Sequence, residues 1–404
     1  MPRLRGGVAS ASSKLLETRR RPSGLNSFFA DSQSTFTEYI KHCRAMIVQT
    51  HMGRSADELS RIVEGNAPFA LVPANGYLSG KDNAYRRGIL LVHGLSDSPY
   101  FMRHLAAFFQ ENGFRVMAVL LPGHGTRPGD LLDVRWQEWA KAVAYGVDKL
   151  ALEADEIYLA GFSAGGALSI YQSYCDQRVR GLFLFAPALK ISSKAAWANA
   201  HKTYSWLTPS AKWLSIKPDT DIYKYESFPK NAAAQMHELT QAVRGLMAKS
   251  KVQIPVFAAV SQDDATVDTA ATVRFMAQTP HPANKLVYYF SKADKIPTGL
   301  PAGKIDCVNS AFPQLKIISS AHTAIVLPSE DAYYGEHGEY CNCIHYYPDE
   351  MGKFSACKRQ PEQALQGEIT EENLKAGTLR RLMHNPSFAT LKIAMRKFID
   401  SLPA

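Results

Sequence analysis

From residue 88 onward the chain alternates short, unbroken apolar runs with longer amphipathic stretches. The runs at 88–93, 114–121, 156–160, 181–186, 254–260, 285–290 and 315–318 are too short for helices. Runs of this continuous kind predict strands buried on both faces. Between them, residues 99–112, 133–150, 164–174, 268–278 and 388–402 carry apolar positions at helical spacing. Strand and helix in alternation predict an α/β fold, with a mainly parallel sheet covered by helices on both faces. Upstream, 36–47 has helical spacing and 68–73 predicts a short strand.

The alternation lapses between 187 and 253, a stretch holding Trp197, Tyr204, Trp206, Trp213, Tyr223, Tyr225 and Phe228 and then a helical pattern at 231–250. A lapse bounded by two strands predicts an inserted subdomain. Its aromatic residues suit either an acyl-chain site or the subdomain's own core. A second polar stretch, 328–378, is rich in Tyr, Cys and His and defies assignment to elements.

With 404 residues, 46% of them apolar and 21% charged, the chain has the composition of a globular protein rather than a fibrous or disordered one. No run approaches the roughly 20 apolar residues that span a bilayer. The net charge of +9 raises nucleic-acid binding as a function. Its distribution argues against it: Arg3, Arg5, Lys14, Arg19, Arg20 and Arg21 face only Glu17, so the first 22 residues hold more than half of the excess. That segment predicts a disordered basic tail or a targeting segment, and it lacks the apolar run of a secretory signal. Six cysteines do not make a disulfide scaffold in a chain of this length, and Cys43 and Cys175, in helical contexts, are expected as buried thiols. A cytoplasmic location is the resulting expectation, and the oligomeric state stays open.

Gly161-Phe-Ser163-Ala-Gly165 falls where a strand ends and a helix begins. A sharp strand-to-helix turn puts the serine in a strained conformation and needs small residues two positions to either side. It also aims the hydroxyl at a helix N-terminus, whose free N–H groups favour negative charge. A serine needs a base, and the base needs an acid to orient it. After the run ending at Val260 come Asp263, Asp264 and Asp268; after the run ending at Ile318 comes His322. Of twelve histidines, His322 alone follows a sheet-like run downstream of the acids and precedes a helix. The order Ser163, Asp264, His322 is the expected one. Asp264 is preferred to Asp263, and Asp268 suits a helix N-cap. The oxyanion donors are expected to be the N–H groups of Ala164 and of Leu95, in the loop His93-Gly-Leu95-Ser after the first buried strand. His93 is a rival base, but it precedes the serine and sits where that loop belongs, so a loop-bracing role is expected.

Four motifs in order, Val92-His-Gly-Leu-Ser-Asp-Ser-Pro-Tyr100, Leu121-Pro-Gly-His-Gly-Thr126, Gly161-Phe-Ser-Ala-Gly165 and Asp264-Ala-Thr-Val267, resemble the α/β-hydrolase superfamily. They are most similar to its bacterial carboxylesterase and monoacylglycerol-lipase-like members, over about 88–290 plus the His322 loop and the last helix. The resemblance implies an eight-stranded, mostly parallel sheet flanked by helices, with a lid subdomain at 187–253. The catalytic domain is then 68–186 and 254–404, preceded by a basic tail at 1–22 and a helical extension at 23–67. It implies hydrolysis of a small-molecule carboxylic ester or lipid with an apolar acyl group, through an acyl-enzyme and with no cofactor. A serine peptidase or amidase on the same scaffold is the alternative, and a non-catalytic binding role is a third.

Two departures qualify the likeness. The separation of Asp264 from His322 is about twice the usual one and implies an insertion near 291–313; a second insertion, about 328–378, precedes the closing helix. The second contains Cys341-Asn-Cys343-Ile-His345 and Cys357, and Cys307 is a further candidate for that cluster. Zinc, a disulfide and unlinked thiols all remain open there; a disulfide requires an oxidising compartment.

Overall fold

The computed structural model describes residues 18–26, 34–74, 84–191, 212–293, 296–297 and 303–402. Two helices lead into the sheet, α1 (Phe36–Thr50) and α2 (Ala56–Asn66). Thr35 and Glu38 form a reciprocal capping box that starts α1. Its buried face carries Tyr39, whose hydroxyl bonds the Leu120 carbonyl at 3.0 Å. The chain continues through β1 (Phe69–Leu71), β2 (Tyr85–Val92), α3 (Arg103–Glu111), β3 (Phe114–Val119), α4 (Trp136–Leu150), β4 (Ala154–Phe162), α5 (Ala164–Cys175) and β5 (Val179–Phe185). After the short pair β6 (Trp213–Ser215) and β7 (Phe228–Pro229) come α6 (Lys230–Lys249), β8 (Val256–Ser261), α7 (Thr269–Gln278), β9 (Lys285–Phe290) and β10 (Ile305–Asn309).

Eight strands form one sheet in the order β1-β3-β2-β4-β5-β8-β9-β10. All neighbours are parallel except β1 and β3. This is the α/β-hydrolase fold. The chain winds from β2 to β3 on one side and from β4 onward on the other, so the loops leaving β2 and β4 meet at the point where the winding reverses. Val92 lies opposite Gly161 in the register. The central strands are buried on both faces, as their unbroken apolar runs require. The closing helix α10 (Phe388–Asp400) lays Phe398 edge-on against Phe183 with ring centroids 5.1 Å apart.

The C-terminal half departs from expectation. Residues 315–318 are not a strand: Pro313–Leu315 is a 3-10 turn and Lys316 is left-handed, with φ of 55°. The last sheet strand is β10, inside the stretch read as an insertion. As an edge strand with one partner it is only partly buried, so Ile-Asp-Cys-Val-Asn shows no apolar run. Within 328–378 the chain forms α8 (Met351–Arg359), β11 (Leu365–Gly367) and α9 (Glu371–Lys375). β11 then pairs in parallel with β12 (Leu379–Arg381). Cys343 and Cys357 form a disulfide, and the Cys341 sulfur stands 3.4 Å from that of Cys343. Cys307, on β10, is exposed and apart from this group, and Cys175 is exposed rather than buried; Cys43 is buried.

Of the stretch expected as a basic tail, residues 1–17 lie outside the described residues. The Arg19 guanidinium donates to the Asp219 carbonyl, and Ser23 caps the Asp130 carboxylate through its hydroxyl at 2.9 Å. Of the aromatic residues expected in a lid, Trp197, Tyr204 and Trp206 lie outside the described residues. Tyr223 belongs to the main core instead, stacked on Tyr100 at 3.8 Å.

Candidate active site

β4 delivers Ser163 at a reversal. The serine is the N-cap of α5 with φ of 54° and ψ of −113°, a strained left-handed conformation held by its neighbours. Its N–H donates to the Phe185 carbonyl at 2.9 Å, and its own carbonyl accepts the Ala188 N–H at 2.9 Å. The flanking glycines are required by contact. A Cβ on Gly161 would stand 2.2 Å from the Gly165 carbonyl oxygen, and one on Gly165 would stand 2.0 Å from that of Val92.

The serine meets the two residues expected to partner it. His322 Nε2 lies 2.9 Å from Ser163 Oγ, and His322 Nδ1 lies 2.6 Å from Asp264 Oδ2. All three side chains are buried. Asp264 Oδ1 accepts the N–H groups of Thr266 (2.7 Å) and Val267 (2.9 Å), which fixes the carboxylate in plane. Asp263 turns away and accepts the Ser291 hydroxyl at 2.9 Å. Asp268 occupies the N-cap of α7, but its carboxylate pairs with Lys190 at 3.0 Å rather than capping the helix.

Leu95 lies in the loop that follows β2, and Ala164 is the residue after the serine. As the first residue of α5, Ala164 has no intrahelical acceptor for its N–H. The Leu95 loop is held by two buried, neutral imidazoles. His93 Nδ1 bonds the Gly94 carbonyl at 2.8 Å while its Nε2 accepts the Leu121 N–H at 3.0 Å. Both ring nitrogens are therefore occupied, and His93 braces the loop instead of serving as a base. His124 Nε2 accepts the Ser96 N–H at 3.0 Å. Burial holds the His93 imidazole well below its usual range and pushes His124 down to about 4.

Four contributors to this site, His124, Lys224, Tyr225 and Glu368, are not assigned to it from the sequence. His124 had a signal, since it lies in the Leu121-Pro-Gly-His motif. The inserted segment also reaches the loop: the Tyr225 N–H donates to the Ser96 carbonyl at 2.8 Å, and Lys224 pairs with the buried Asp97. Glu368, fully buried just after β11, accepts the His322 N–H at 2.9 Å. Among the described residues, the sulfurs of Cys341, Cys343 and Cys357 lie within 4.8 Å of one another, the spacing of metal ligands, but two of them share the disulfide.

A serine, an imidazole and a carboxylate joined in line by hydrogen bonds at the start of a helix form an arrangement suited to nucleophilic acyl transfer. The family model described as serine aminopeptidase, S33, matches residues 83–292. A thermostable monoacylglycerol lipase of Bacillus sp. (strain H-257) is 27% identical over 194 residues, which are 47% of this chain and 77% of that protein. A carboxylesterase of Bacillus subtilis (strain 168) is 23% identical over 191 residues, 45% of this chain and 74% of its own. A solved structure from work on the metagenome-derived lipolytic enzymes LipS and LipT has a TM-score of 0.46 at 22% identity and covers 55% of this chain and 87% of that one.

Proposed function

The chain belongs to the serine aminopeptidase S33 family of α/β hydrolases, and on that premise we propose that it hydrolyses carboxylic esters with an apolar acyl group through an acyl-enzyme on Ser163. The observation that carries the proposal is the hydrogen-bonded line Ser163–His322–Asp264, at 2.9 and 2.6 Å, on a strained turn. Ser163 Oγ attacks the ester carbonyl as His322 Nε2 takes its proton, and Asp264 orients the ring and stabilises the imidazolium. The Leu95 and Ala164 N–H groups receive the oxyanion. Collapse expels the alcohol with the proton from His322. Water then attacks the acyl carbonyl as His322 Nε2 takes its proton, and collapse releases the acid as that proton returns to Ser163 Oγ.

Ester rather than amide substrates are favoured by the two curated relatives, one named as a monoacylglycerol lipase and one as a carboxylesterase. Residues 187–253 are proposed as the cover of the site. The ties from Lys224 and Tyr225 to the Leu95 loop support that role.

The test is a panel of p-nitrophenyl esters of graded chain length and aminoacyl p-nitroanilides, run on the wild type and on Ser163→Ala. Ester turnover that exceeds anilide turnover and disappears in the variant is expected. Ester turnover retained by Ser163→Ala overturns the mechanism, and a preference for the anilides overturns the substrate class.

A further inference from the structure

We propose that Glu368 and Arg381, from the C-terminal insertion, are positioning residues that lock the His322 loop to the Asp264 loop. The inference rests on the triad reading above. It starts from a structural gap: His322 does not follow a sheet strand, so the sheet does not fix its loop. Strand β11 supplies the missing anchor. The Ile318 N–H donates to the Gln366 carbonyl at 2.8 Å, and the Gln366 N–H returns to the Lys316 carbonyl at 2.8 Å. Two residues beyond Gln366, the Glu368 N–H donates to Ser319 Oγ at 3.0 Å, and its carboxylate is buried.

That carboxylate touches both loops. Glu368 Oε2 accepts the His322 N–H at 2.9 Å and the Ala265 N–H at 3.4 Å. Arg381, on β12, pairs with it through Nε at 2.9 Å from Oε1. Its Nη2 bonds Glu368 Oε2 at 3.1 Å and Thr266 Oγ1 at 2.8 Å. Ala265 and Thr266 immediately follow Asp264, so one ion pair, with a fully buried carboxylate and a partly buried guanidinium, grips the residues next to the acid and the backbone of the base. Neither residue lies in 83–292, the stretch the family model matches.

A buried ion pair is weak evidence of stabilisation, because desolvation offsets the attraction. Apart from the Ile369 N–H that Glu368 Oε1 accepts at 2.9 Å, the further side-chain hydrogen bonds of the pair end on two functional loops, and such a pair is better understood as setting their geometry. Misplacing a catalytic group by about 1 Å costs on the order of 10²-fold in rate. Charge balance gives a second consequence. The other charged groups facing this region are Asp264, Asp97 and Lys224. With both partners present, the pair adds no net charge beside the imidazole. Removing one partner leaves the other uncompensated, with opposite effects on imidazolium formation.

The experiment compares Glu368→Gln, Arg381→Gln and the double variant with wild type by the pH profile of kcat/KM, by kcat and KM on one p-nitrophenyl ester, and by thermal unfolding. Each single variant is expected to lose ten- to a hundredfold in kcat with little change in KM. Glu368→Gln should move the acid limb of the profile to lower pH and Arg381→Gln to higher pH, each by about half a unit or more. The double variant should return the limb to its original place while kcat stays low. Arg381→Lys, which keeps the charge, should lower kcat without moving the limb. Folded single variants with wild-type kcat and an unmoved limb overturn the proposal, as do limbs that move in the same direction. If neither single variant folds, the double variant decides: wild-type kcat overturns the proposal, and a low kcat with an unmoved limb supports it. Fluorophosphonate labelling of wild-type Ser163 separates the two levels, since a wild type that neither labels nor turns over esters removes the triad reading itself.

Discussion

Replacing Asp264 by Asn exchanges one oxygen for a nitrogen, and the loop dictates which way the new amide faces. Oδ1 accepts two backbone N–H groups, at 2.7 and 2.9 Å. An amide nitrogen in that place would confront two donors and forfeit two hydrogen bonds, at about 1–3 kcal/mol each. The carbonyl therefore keeps the backbone side, and the NH₂ faces His322 Nδ1 across what is now a 2.6 Å contact. Nδ1 must then accept, which places the ring proton on Nε2, aimed at Ser163. In that tautomer the imidazole cannot take the serine proton. The expected loss in kcat is on the order of 10⁴-fold, equivalent to about 5 kcal/mol of transition-state stabilisation. Asp263→Asn is the paired control, because that carboxylate serves Ser291 instead of the histidine, and it should stay within tenfold of wild type. The assay is kcat for a p-nitrophenyl ester, with thermal unfolding to show that both variants fold. An Asp264→Asn enzyme within tenfold of wild type, or an Asp263→Asn enzyme equally impaired, would refute the reasoning.

Gly165→Ala should abolish turnover and destabilise the fold by up to about 3 kcal/mol in urea unfolding, since its Cβ meets the Val92 carbonyl with no flexible side chain to yield; a stable, active variant contradicts this. His124, pushed down to about 4, stays neutral in the fold while the unfolded chain takes up its proton near pH 6.5. Its contribution is therefore present above about pH 6.5 and is lost as pH falls toward 4. The loss is about 3 kcal/mol for this one group, and His124→Gln should flatten the slope of unfolding free energy against pH over that window. The Cys343–Cys357 bond closes a 14-residue separation and should contribute about 3 kcal/mol. Titration in denaturant should find four thiols before reduction and six after, and six at the outset would refute the bond.

The parts legible in the sequence are those where one local requirement selects the residue. Strands such as β2 and β5 are buried on both faces, so their composition alone announces them. The turn at Ser163 needs small neighbours because backbone atoms approach within about 2 Å of where a Cβ would sit, and Gly161 and Gly165 record that need directly. β10 escaped because an edge strand with one partner is only partly buried, so Asp306 and Asn309 interrupt its apolar residues. Asp264 rather than Asp263 heads the Asp264-Ala-Thr-Val267 motif, and the structure turns its carboxylate to His322 while that of Asp263 turns to Ser291. Glu368 and Arg381 were illegible for a stronger reason. Their meaning lies in contacts to residues 265, 266 and 322, more than 40 positions away, and a carboxylate in a polar stretch looks the same whether it faces water or a histidine loop. The largely apolar run at 315–318 predicts a strand that the structure does not form. Its apolar character belongs instead to a small core in which Ile317 packs with Ala321, Ala324 and Leu382.

The central claim is that Ser163 carries the acyl group, and intact-protein and peptide mass spectrometry after brief reaction with a p-nitrophenyl ester or a fluorophosphonate tests it most directly. One adduct per chain, on the peptide containing Ser163 and absent from Ser163→Ala and strongly reduced in His322→Ala, is the predicted result. An unmodified wild type, or an adduct that persists in Ser163→Ala, would contradict the account.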